Sequence, residues 1–239
     1  MIHLITYADN KFKNSAIRLY NEAKNTKWFN TIEIYNPEKL TPEFKNKYND
    51  ILSMKRGGGY WIWKYDIIRQ KLNEIQDNDI LIYLDAGCTI NKGGKKRFDE
   101  YINMLNDEQP IISFQMSHRE YTYTTKEIFQ YFNVLNNDKI TKTGQLVNGV
   151  LIMKKNKKLI SLIDICHKAL EYNPLLITDY YNKNPQPKGF KDNRHDQSIF
   201  SVVRKMNNPL LIRDETYFIP FGKNKQSLKV PFWATRKKI

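Results

Sequence analysis

Short apolar runs alternate with amphipathic stretches along most of the chain, and each kind predicts its own secondary structure. Ile80–Leu84 is a run of bulky, uncharged residues, typical of a strand buried on both faces of a largely parallel sheet. Apolar residues at helical spacing, such as Ala16, Leu19 and Ala23, indicate helices. The predicted strands are residues 3–7, 32–35, 80–84, 110–114, 150–153 and 210–213. The predicted helices are residues 15–24, 41–48, 66–75, 97–105, 127–132 and 159–171, with a last helix through residues 199–203.

The alternation of strands and helices sets the predicted fold class. It favours an α/β domain with a mixed, mostly parallel central sheet flanked by helices. The 239 residues are enough for one large domain with a well-filled core, and no internal repeat, linker or change of composition divides them. We therefore predict a single domain over residues 1–239, in which residues 210–239 form a basic, aromatic C-terminal tail.

Cysteine usage and hydropathy indicate the compartment. Cys88 and Cys166 lie far apart in no metal-ligand spacing, which favours a reducing compartment over a disulfide framework. No apolar run approaches the roughly 20 residues of a membrane-spanning helix, and the N-terminus lacks the layout of a signal peptide. We expect a soluble, cytoplasmic protein.

The formal net charge of +14 is compatible with three kinds of partner. It fits a nucleic-acid binder, a protein that rests on anionic lipid, or an enzyme for phosphorylated substrates. The lysines are spread over the whole sequence and the basic clusters are short, which is also typical of a solvated surface without a function attached. Charge alone therefore does not select the function.

Residues 55–64 combine features of a phosphate site within one short segment. Gly57-Gly58-Gly59 leaves backbone amides that could approach a phosphate, and Trp61, Trp63 and Lys64 follow at once. The alternative is a purely structural role, in which the glycines form a flexible loop and the tryptophans belong to the core. Because Lys64 stands near the start of a predicted helix and beside the strand that ends at Asp85, we predict an anion site there.

Three further polar motifs allow both a structural and a functional interpretation. Asp85-Ala86-Gly87 follows the central strand, where α/β sheets bind ligands, but it also has the chemistry of an ordinary turn. Asn148-Gly149 is equally consistent with a hairpin turn. The segment 193–198 has the residues of a helix start, with Asn193 as the cap and Asp196 in the first turn.

Other enzyme signatures are missing from the sequence. There is no Walker loop, no Gly-x-Gly-x-x-Gly after a strand, no zinc-type cluster and no Gly-x-Ser-x-Gly elbow. His195, Asp196 and Ser198 stand on one turn of the chain, and such neighbours seldom meet as a catalytic triad.

Together, three of these segments resemble a known family. In this order, residues 57–64, 83–88 and 193–198 are similar to glycosyltransferases of the GT-A fold that occur in bacterial surface-polysaccharide clusters and giant viruses. The resemblance covers nearly the whole chain. Tyr65 departs from it, since proline is expected after Trp-x-Trp-Lys, and we expect this change only to loosen the start of a helix.

The resemblance implies a GT-A-like, Rossmann-related domain that binds a nucleotide-sugar across the carboxyl ends of its first strands. Asp85 would be the metal ligand for Mn²⁺ or Mg²⁺, although Gly87 replaces the second carboxylate of the Asp-x-Asp motif, and Lys64 would share in neutralising the diphosphate. The nucleotide base would lie near residues 6–8, and residues 148–149 would lie at the acceptor edge. The substrate-binding residues that it implies are Thr6, Tyr7, Ala8, Trp61, Trp63, Lys64, Asp85, Ala86, Gly87, Asn148, Gly149, Arg194 and His195.

The resemblance also implies the catalytic residues. Asp196-Gln197 resembles the Asp-Gln pair of retaining galactosyltransferases of lipopolysaccharide synthesis, where the pair lies beneath the anomeric carbon. Gln197 would orient the donor sugar, and Asp196 would hold it or stabilise oxocarbenium character. In an inverting enzyme Asp196 would be the general base on the acceptor hydroxyl. We favour the retaining alternative.

The expected function is therefore sugar transfer by a glycosyltransferase of the hexosyltransferase type. The donor would be a nucleotide-sugar, most readily UDP-linked, the acceptor a glycan or a lipid-linked glycan, and peripheral contact with an anionic membrane would fit the basic tail. Two alternatives stay open: a non-catalytic basic protein that binds nucleic acid or glycan, and an inactive GT-A domain. Nucleic acid is disfavoured as the partner, because the aromatics are concentrated beside glycines and a strand end.

Overall fold

The computed structural model describes residues 1–239 and contains the alternating strands and helices that the sequence pattern predicts. The strands are β1 (Ile2–Tyr7), β2 (Thr31–Tyr35), β3 (Ile80–Leu84), β4 (Thr89–Ile90), β5 (Ile112–Arg119), β6 (Gly144–Leu146), β7 (Val150–Lys154), β8 (Leu210–Arg213) and β9 (Phe232–Trp233). The helices are α1 (Lys13–Thr26), α2 (Pro42–Lys47), α3 (Asn49–Leu52), α4 (Gly57–Tyr60), α5 (Trp63–Glu74), α6 (Lys95–Met104), α7 (Glu120–Tyr123), α8 (Lys126–Tyr131), α9 (Asp138–Thr141), α10 (Lys157–Tyr172) and α11 (Asp196–Met206). Short 3-10 turns are found at Pro37–Lys39, Lys92–Gly94, Pro174–Ile177, Tyr180–Lys183 and Ser227–Lys229.

The central sheet has the strand order β2-β1-β3-β7. Strands β2, β1 and β3 are parallel to one another, and β7 runs antiparallel to β3. A second sheet has the order β6-β5-β8, with β8 parallel to β5, and a single bridge between Ile111 and Met153 connects it to β7. This arrangement confirms the predicted mixed, mostly parallel α/β sheet.

Strand β3 is buried on both faces because its side chains alternate between two hydrophobic clusters. Leu81 and Tyr83 point into the larger cluster, which α5, α10 and α11 cover. Ile80, Ile82 and Leu84 point into the smaller cluster, which α1 and α6 cover. An uninterrupted apolar run is therefore required here, since both sides of the strand face helices.

The start of one helix differs from the prediction, and one predicted turn is absent. Helix α1 begins at Lys13, two residues earlier than predicted, because Asp9 first turns the chain by accepting hydrogen bonds from the amides of Lys11 and Phe12. The hairpin interpretation of residues 148–149 is wrong, because β6 pairs with β5 whereas β7 pairs with β3.

Residues 210–239 return to the body of the molecule in two places. Strand β8 is an edge of the second sheet, and β9 pairs with β4, immediately after the central strand. The last residues then pass over Gly87, where the Lys237 amide donates to the Gly87 carbonyl at 2.9 Å. None of the helices is long and apolar enough to cross a membrane.

Shortening a side chain of β3 tests how strongly the fold depends on this strand. Ile82 is 0% exposed, so Ile82→Ala should lower the free energy of unfolding by about 2 to 5 kcal/mol, through lost burial and the cavity left behind. Ile17 on α1 is 43% exposed, and Ile17→Ala should change the free energy of unfolding by less than about 1 kcal/mol. Urea denaturation of both variants is the measurement, and equal effects would contradict the central position of β3.

Candidate active site

The candidate site begins at Asp85, directly after β3. Residues two apart on a strand share a face, so Asp85 continues the face of Tyr83, on the side of α5 and α11. The Tyr83 hydroxyl donates to Asp85 Oδ1 at 2.6 Å. A Cβ on Gly149 would lie 2.6 Å from Asp85 Oδ2, so any side chain at this position would have to move the Asp85 carboxylate. Asp85 keeps 42% of its side chain exposed and is the open member of the site.

Lys64, the second residue of α5, has a buried ammonium group among polar atoms of three other segments. Its Nζ lies 2.6 Å from Asp196 Oδ2, 3.0 Å from the Asn148 carbonyl oxygen and 3.4 Å from Asp85 Oδ1. It also lies 4.7 Å from the centre of the Tyr83 ring. The side chain is only 2% exposed, so its charge is taken up by carboxylates of the protein. The predicted proximity to Asp85 is present, but this ammonium has no open side toward solvent.

Asp196 begins α11 and is the buried carboxylate of the site, with 7% of its side chain exposed. Besides Lys64, the amide of Asn148 donates to its Oδ2 at 2.6 Å. Tyr65 was expected only to loosen a helix start; instead its hydroxyl donates to the Asp196 carbonyl oxygen at 2.8 Å and joins α5 to α11. The departure at position 65 is thus a stabilising contact of the site.

Gln197 connects the same helix start to the β6–β7 connection. The backbone amide of Asn148 donates to Gln197 Oε1 at 3.2 Å, and Gln197 Nε2 donates to Gln145 Oε1 at 2.6 Å. Gln145 in turn donates to the buried Glu120. These contacts hold the Asp196-Gln197 pair in a fixed position against residues 148–149.

Backbone strain is located at His195, just before α11. His195 has a φ of 59°, in the left-handed region where a side chain costs about 1 to 3 kcal/mol. Its Nδ1 lies 2.9 Å from the Ile177 carbonyl oxygen, which can only accept, so Nδ1 carries the proton. Its ring stacks on Trp61 with 5.3 Å between centroids. These contacts hold the strained residue in place and thereby orient Asp196.

Asn193 was expected to cap α11, but its side-chain amide instead donates to the Leu176 and Thr178 carbonyl oxygens.

The three glycines form a tight left-handed turn instead of an open phosphate loop. All three have positive φ, and a Cβ on Gly59 would lie 2.7 Å from the Leu52 Cα. The amides of Gly58 and Gly59 donate to carbonyl oxygens of residues 55 and 54. The turn thus uses these amides itself, and its role is to bring the tryptophans that follow into the site.

The residues predicted to contact the nucleotide base and the donor are largely buried. Thr6, Tyr7 and Ala8 lie at the end of β1, and Trp63 covers one face of the Tyr7 ring at 3.6 Å between centroids. The guanidinium of Arg194 packs over Tyr123 and makes none of the cluster's contacts. The base-binding and donor-binding roles of these residues stay predictions.

Burial and charge together shift the ionisation of the cluster. Burial lowers the pKa of Lys64, but the neighbouring carboxylates of Asp196 and Asp85 outweigh it, and the net pKa is raised. Burial raises the pKa of Asp196, against the opposing effect of Lys64. Burial, and then the charge of Arg56, lower the pKa of His195, which favours neutral imidazole at neutral pH. With Lys64 as the cation of the cluster, Asp85 and Asp196 leave an excess of one negative charge in the cluster.

The side chains around Asp85 do not fit a divalent cation held by the protein itself. Such a cation prefers several oxygen ligands, and no three His, Cys, Asp or Glu side chains in the chain come together to hold one. Asp196 is already bonded to Lys64 and Asn148, and Gly87 offers no oxygen beyond its backbone. The Mn²⁺ or Mg²⁺ at Asp85 stays a prediction.

Sequence reasoning missed several residues that position the site. Tyr83 could have been found, because it stands two positions before Asp85 on the same strand face. Arg18 gave no signal, yet its guanidinium donates to the carbonyl oxygens of Ala86 and Cys88 at 3.0 and 2.7 Å. The close approach of the C-terminal residues to Gly87 also has no local signature.

A surface concavity of about 520 Å³ lies outside this cluster. It is lined by residues 133 and 135–139, of which only Leu135 is hydrophobic. None of the predicted site residues lines it, and it is therefore not the candidate site.

Comparisons with known proteins show what the chain resembles. No protein-family model matches the sequence, and no curated protein matches it. Among solved structures, a glycosyltransferase involved in glycosylation of the major capsid of PBCV-1 is similar, with 12% identity and a TM-score of 0.52. The match covers 97% of this chain and 92% of that one. This likeness is one of fold, and it confirms the predicted α/β fold class of the GT-A type.

Two further structures are similar at lower scores. Mouse xyloside xylosyltransferase 1 matches with 11% identity and a TM-score of 0.47, over 98% of this chain and 97% of that one. The galactosyltransferase LgtC, in complex with donor and acceptor sugar analogues, matches with 16% identity and a TM-score of 0.46. That match covers 91% of this chain and 76% of the other.

Removal of the Lys64 charge tests the buried cluster. Lys64→Met should lower the free energy of unfolding by about 3 to 5 kcal/mol, because Asp196 would stay buried without its cation. Adding Asp196→Asn should restore most of the loss. Lys47→Met breaks an exposed ion pair with Glu171 and should cost about 1 kcal/mol or less, and urea denaturation measures all three. Equal losses for Lys64→Met and Lys47→Met would contradict the buried ion pair.

Proposed function

We propose that the chain is a glycosyltransferase of the hexosyltransferase type, which moves a sugar from a UDP-linked donor to a glycan or lipid-linked acceptor. One observation carries the proposal. An exposed carboxylate at the carboxyl end of the central strand, Asp85, is joined through the buried Lys64 to Asp196 and Gln197 at the start of α11. In open α/β sheets this edge is where ligands bind. The fold shared with a glycosyltransferase supports the same conclusion.

The cluster suits the breaking of a bond between a sugar and a diphosphate. As the anomeric C–O bond to the phosphate breaks, positive charge grows on the sugar and negative charge on the leaving group. Fixed carboxylates stabilise the positive charge on the sugar. They need no reorganisation, because Lys64 and Asn148 already hold Asp196. The acceptor oxygen then bonds to the anomeric carbon and gives up its proton to a phosphate oxygen of the departing diphosphate, which has gained the electron pair of the broken C–O bond.

The contacts of Asp196 favour the retaining alternative. Its Oδ2 accepts two hydrogen bonds of 2.6 Å, and its side chain is 7% exposed, which leaves little access for an acceptor hydroxyl. A general base needs to reach the proton that it removes. Asp196 is better suited to stabilise charge beneath the donor sugar, with Gln197 beside it.

The aromatic contacts weigh against nucleic acid as the partner. Single-stranded nucleic acid is held by exposed aromatic faces on which bases stack. Here Trp63 is buried against Tyr7, and Trp61 is stacked on His195. The two tryptophans therefore already have partners within the protein.

Ligand-dependent stability tests the donor class. UDP and a UDP-sugar, at about 100 times the dissociation constant, should stabilise the fold by roughly 2.7 kcal/mol, because they bind only the folded state. GDP and CMP, with their sugar conjugates, are the matched controls, and each is measured with Mn²⁺ and with EDTA by thermal unfolding. If no nucleotide raises the midpoint under either condition, the proposed function is wrong.

Neutralising Asp85 tests the site. Asp85→Asn should reduce UDP release from the donor by about 10²-fold, because a fixed charge near the reacting centre is lost. Asp164 on α10 is a matched control, since its side chain is 41% exposed and also faces a cation, Arg69. Asp164→Asn should leave turnover unchanged. Full activity of the Asp85→Asn variant would show that Asp85 is not part of the site.

A further inference from the structure

The last residues of the chain form a segment, residues 236–239, that crosses the edge of the candidate site. The amide of Lys237 donates to the Gly87 carbonyl at 2.9 Å, and the amide of Ile239 donates to Ser15 Oγ at 3.2 Å. The ammonium of Lys238 lies 5.3 Å from the centre of the Phe12 ring. The segment thus spans from the loop after β3 to the first turn of α1. We call it the C-terminal strap.

The strap is fixed upstream by side chains as well as by strand pairing. The hydroxyl of Thr235 donates to the Gly87 carbonyl at 2.7 Å and lies 3.0 Å from the Thr89 hydroxyl. Strand β9, just before it, pairs with β4. The strap is therefore tied to the same loop that carries Asp85.

Gly87 is the position where the resemblance places a second carboxylate, and the strap lies against it. A Cβ on Gly87 would be 3.1 Å from Arg236 Cα and 3.3 Å from the Lys237 amide nitrogen. A side chain at position 87 would therefore lie in tight contact with the strap backbone, which would have to shift by a few tenths of an ångström. A basic segment therefore lies beside the position from which the metal-binding carboxylate would project.

The cationic side chains of the strap form no ion pairs, whereas the buried Lys64 of the cluster does. Arg236, Lys237 and Lys238 are exposed, and none of them forms an ion pair with a carboxylate. Lys64 is held between Asp85 and Asp196, so the cluster has an excess of negative charge. A diphosphate brought to this edge would be repelled unless cations lie beside it.

We propose that the C-terminal strap binds the diphosphate of the donor through Arg236, Lys237 and Lys238, and so supplies the positive charge that a carboxylate-held metal would otherwise bring. This inference rests on the proposed function and names the groups that recognise the leaving group. Guanidinium and ammonium groups form charge-assisted hydrogen bonds with phosphate oxygens. The strap is held mainly through backbone amides and Thr235, so changing its side chains removes only the contact of Lys238 with Phe12 and leaves the other anchors in place.

The experiment compares two variants of equal net charge. The strap variant carries Arg236→Gln, Lys237→Gln and Lys238→Gln. The control variant carries Lys24→Gln, Lys157→Gln and Lys168→Gln, at exposed positions on α1 and α10 that form no ion pair. Calorimetric titration with inorganic pyrophosphate and with UDP, both in EDTA at low salt, gives the affinities, and circular dichroism confirms that each variant is folded.

The wild type should bind both ligands in EDTA, and the strap variant should bind them about tenfold more weakly or worse, because charge-assisted contacts are lost. The affinity of the control variant should stay close to that of the wild type, since distant exposed charges are screened. Added salt should weaken the wild type more than the strap variant. A strap variant with wild-type affinity for pyrophosphate would overturn the inference.

Other outcomes separate this inference from the proposed function. Binding of UDP only with Mn²⁺, equal in wild type and strap variant, would overturn the strap site and leave the proposed function intact. Pyrophosphate binding that depends on the strap, without binding of any nucleotide, would support the strap site and overturn the proposed function. Flotation with phosphatidylserine vesicles that the strap variant loses, while its pyrophosphate binding is unchanged, would assign the strap to a membrane and overturn the inference.

Discussion

The buried ammonium of Lys64 is the interaction on which the candidate site depends. A charge taken out of water costs several kcal/mol unless opposite charges and hydrogen bonds surround it. Here its partners come from the end of β3, the β6–β7 connection and the start of α11, through Asp85, Asn148 and Asp196. Four separate segments of the chain must therefore meet in one arrangement, and that arrangement brings both carboxylates to the same edge of the sheet.

The surrounding backbone is shaped to keep this arrangement rigid. Left-handed conformations occur on both sides of it, at the glycine turn before α5 and at His195 before α11. The conformation of His195 is held by stacking on Trp61 and by a hydrogen bond from its Nδ1 to the Ile177 carbonyl oxygen, so its strain is balanced by contacts formed in the folded state. Rigid, pre-oriented charges are what electrostatic stabilisation of a reacting bond requires.

Charge is distributed unevenly across this edge of the molecule. The interior cluster is acidic in balance, because one lysine faces Asp85 and Asp196, while the strap that crosses Gly87 is basic and exposed. The proposed donor, with a neutral sugar and a charged diphosphate, would match such a division if the sugar lies toward the carboxylates and the diphosphate toward the strap. The overall net charge of +14 is too diffuse to reveal this local pattern.

The sequence by itself determined most of the longer strands and helices and the candidate motifs of this protein, whereas the short elements, such as β4, β9, α3 and α9, were not predicted. Periodicity reports burial along one strand or helix, which is why β3 and its terminal Asp85 could be predicted. Only the tertiary structure decided which charges meet. Lys64 was expected to face a phosphate, but it contacts Asp196, 132 positions away, and Thr235 reaches Gly87 across 148 positions. Contacts between such distant residues depend on how whole elements pack, and no local pattern of residues records that packing.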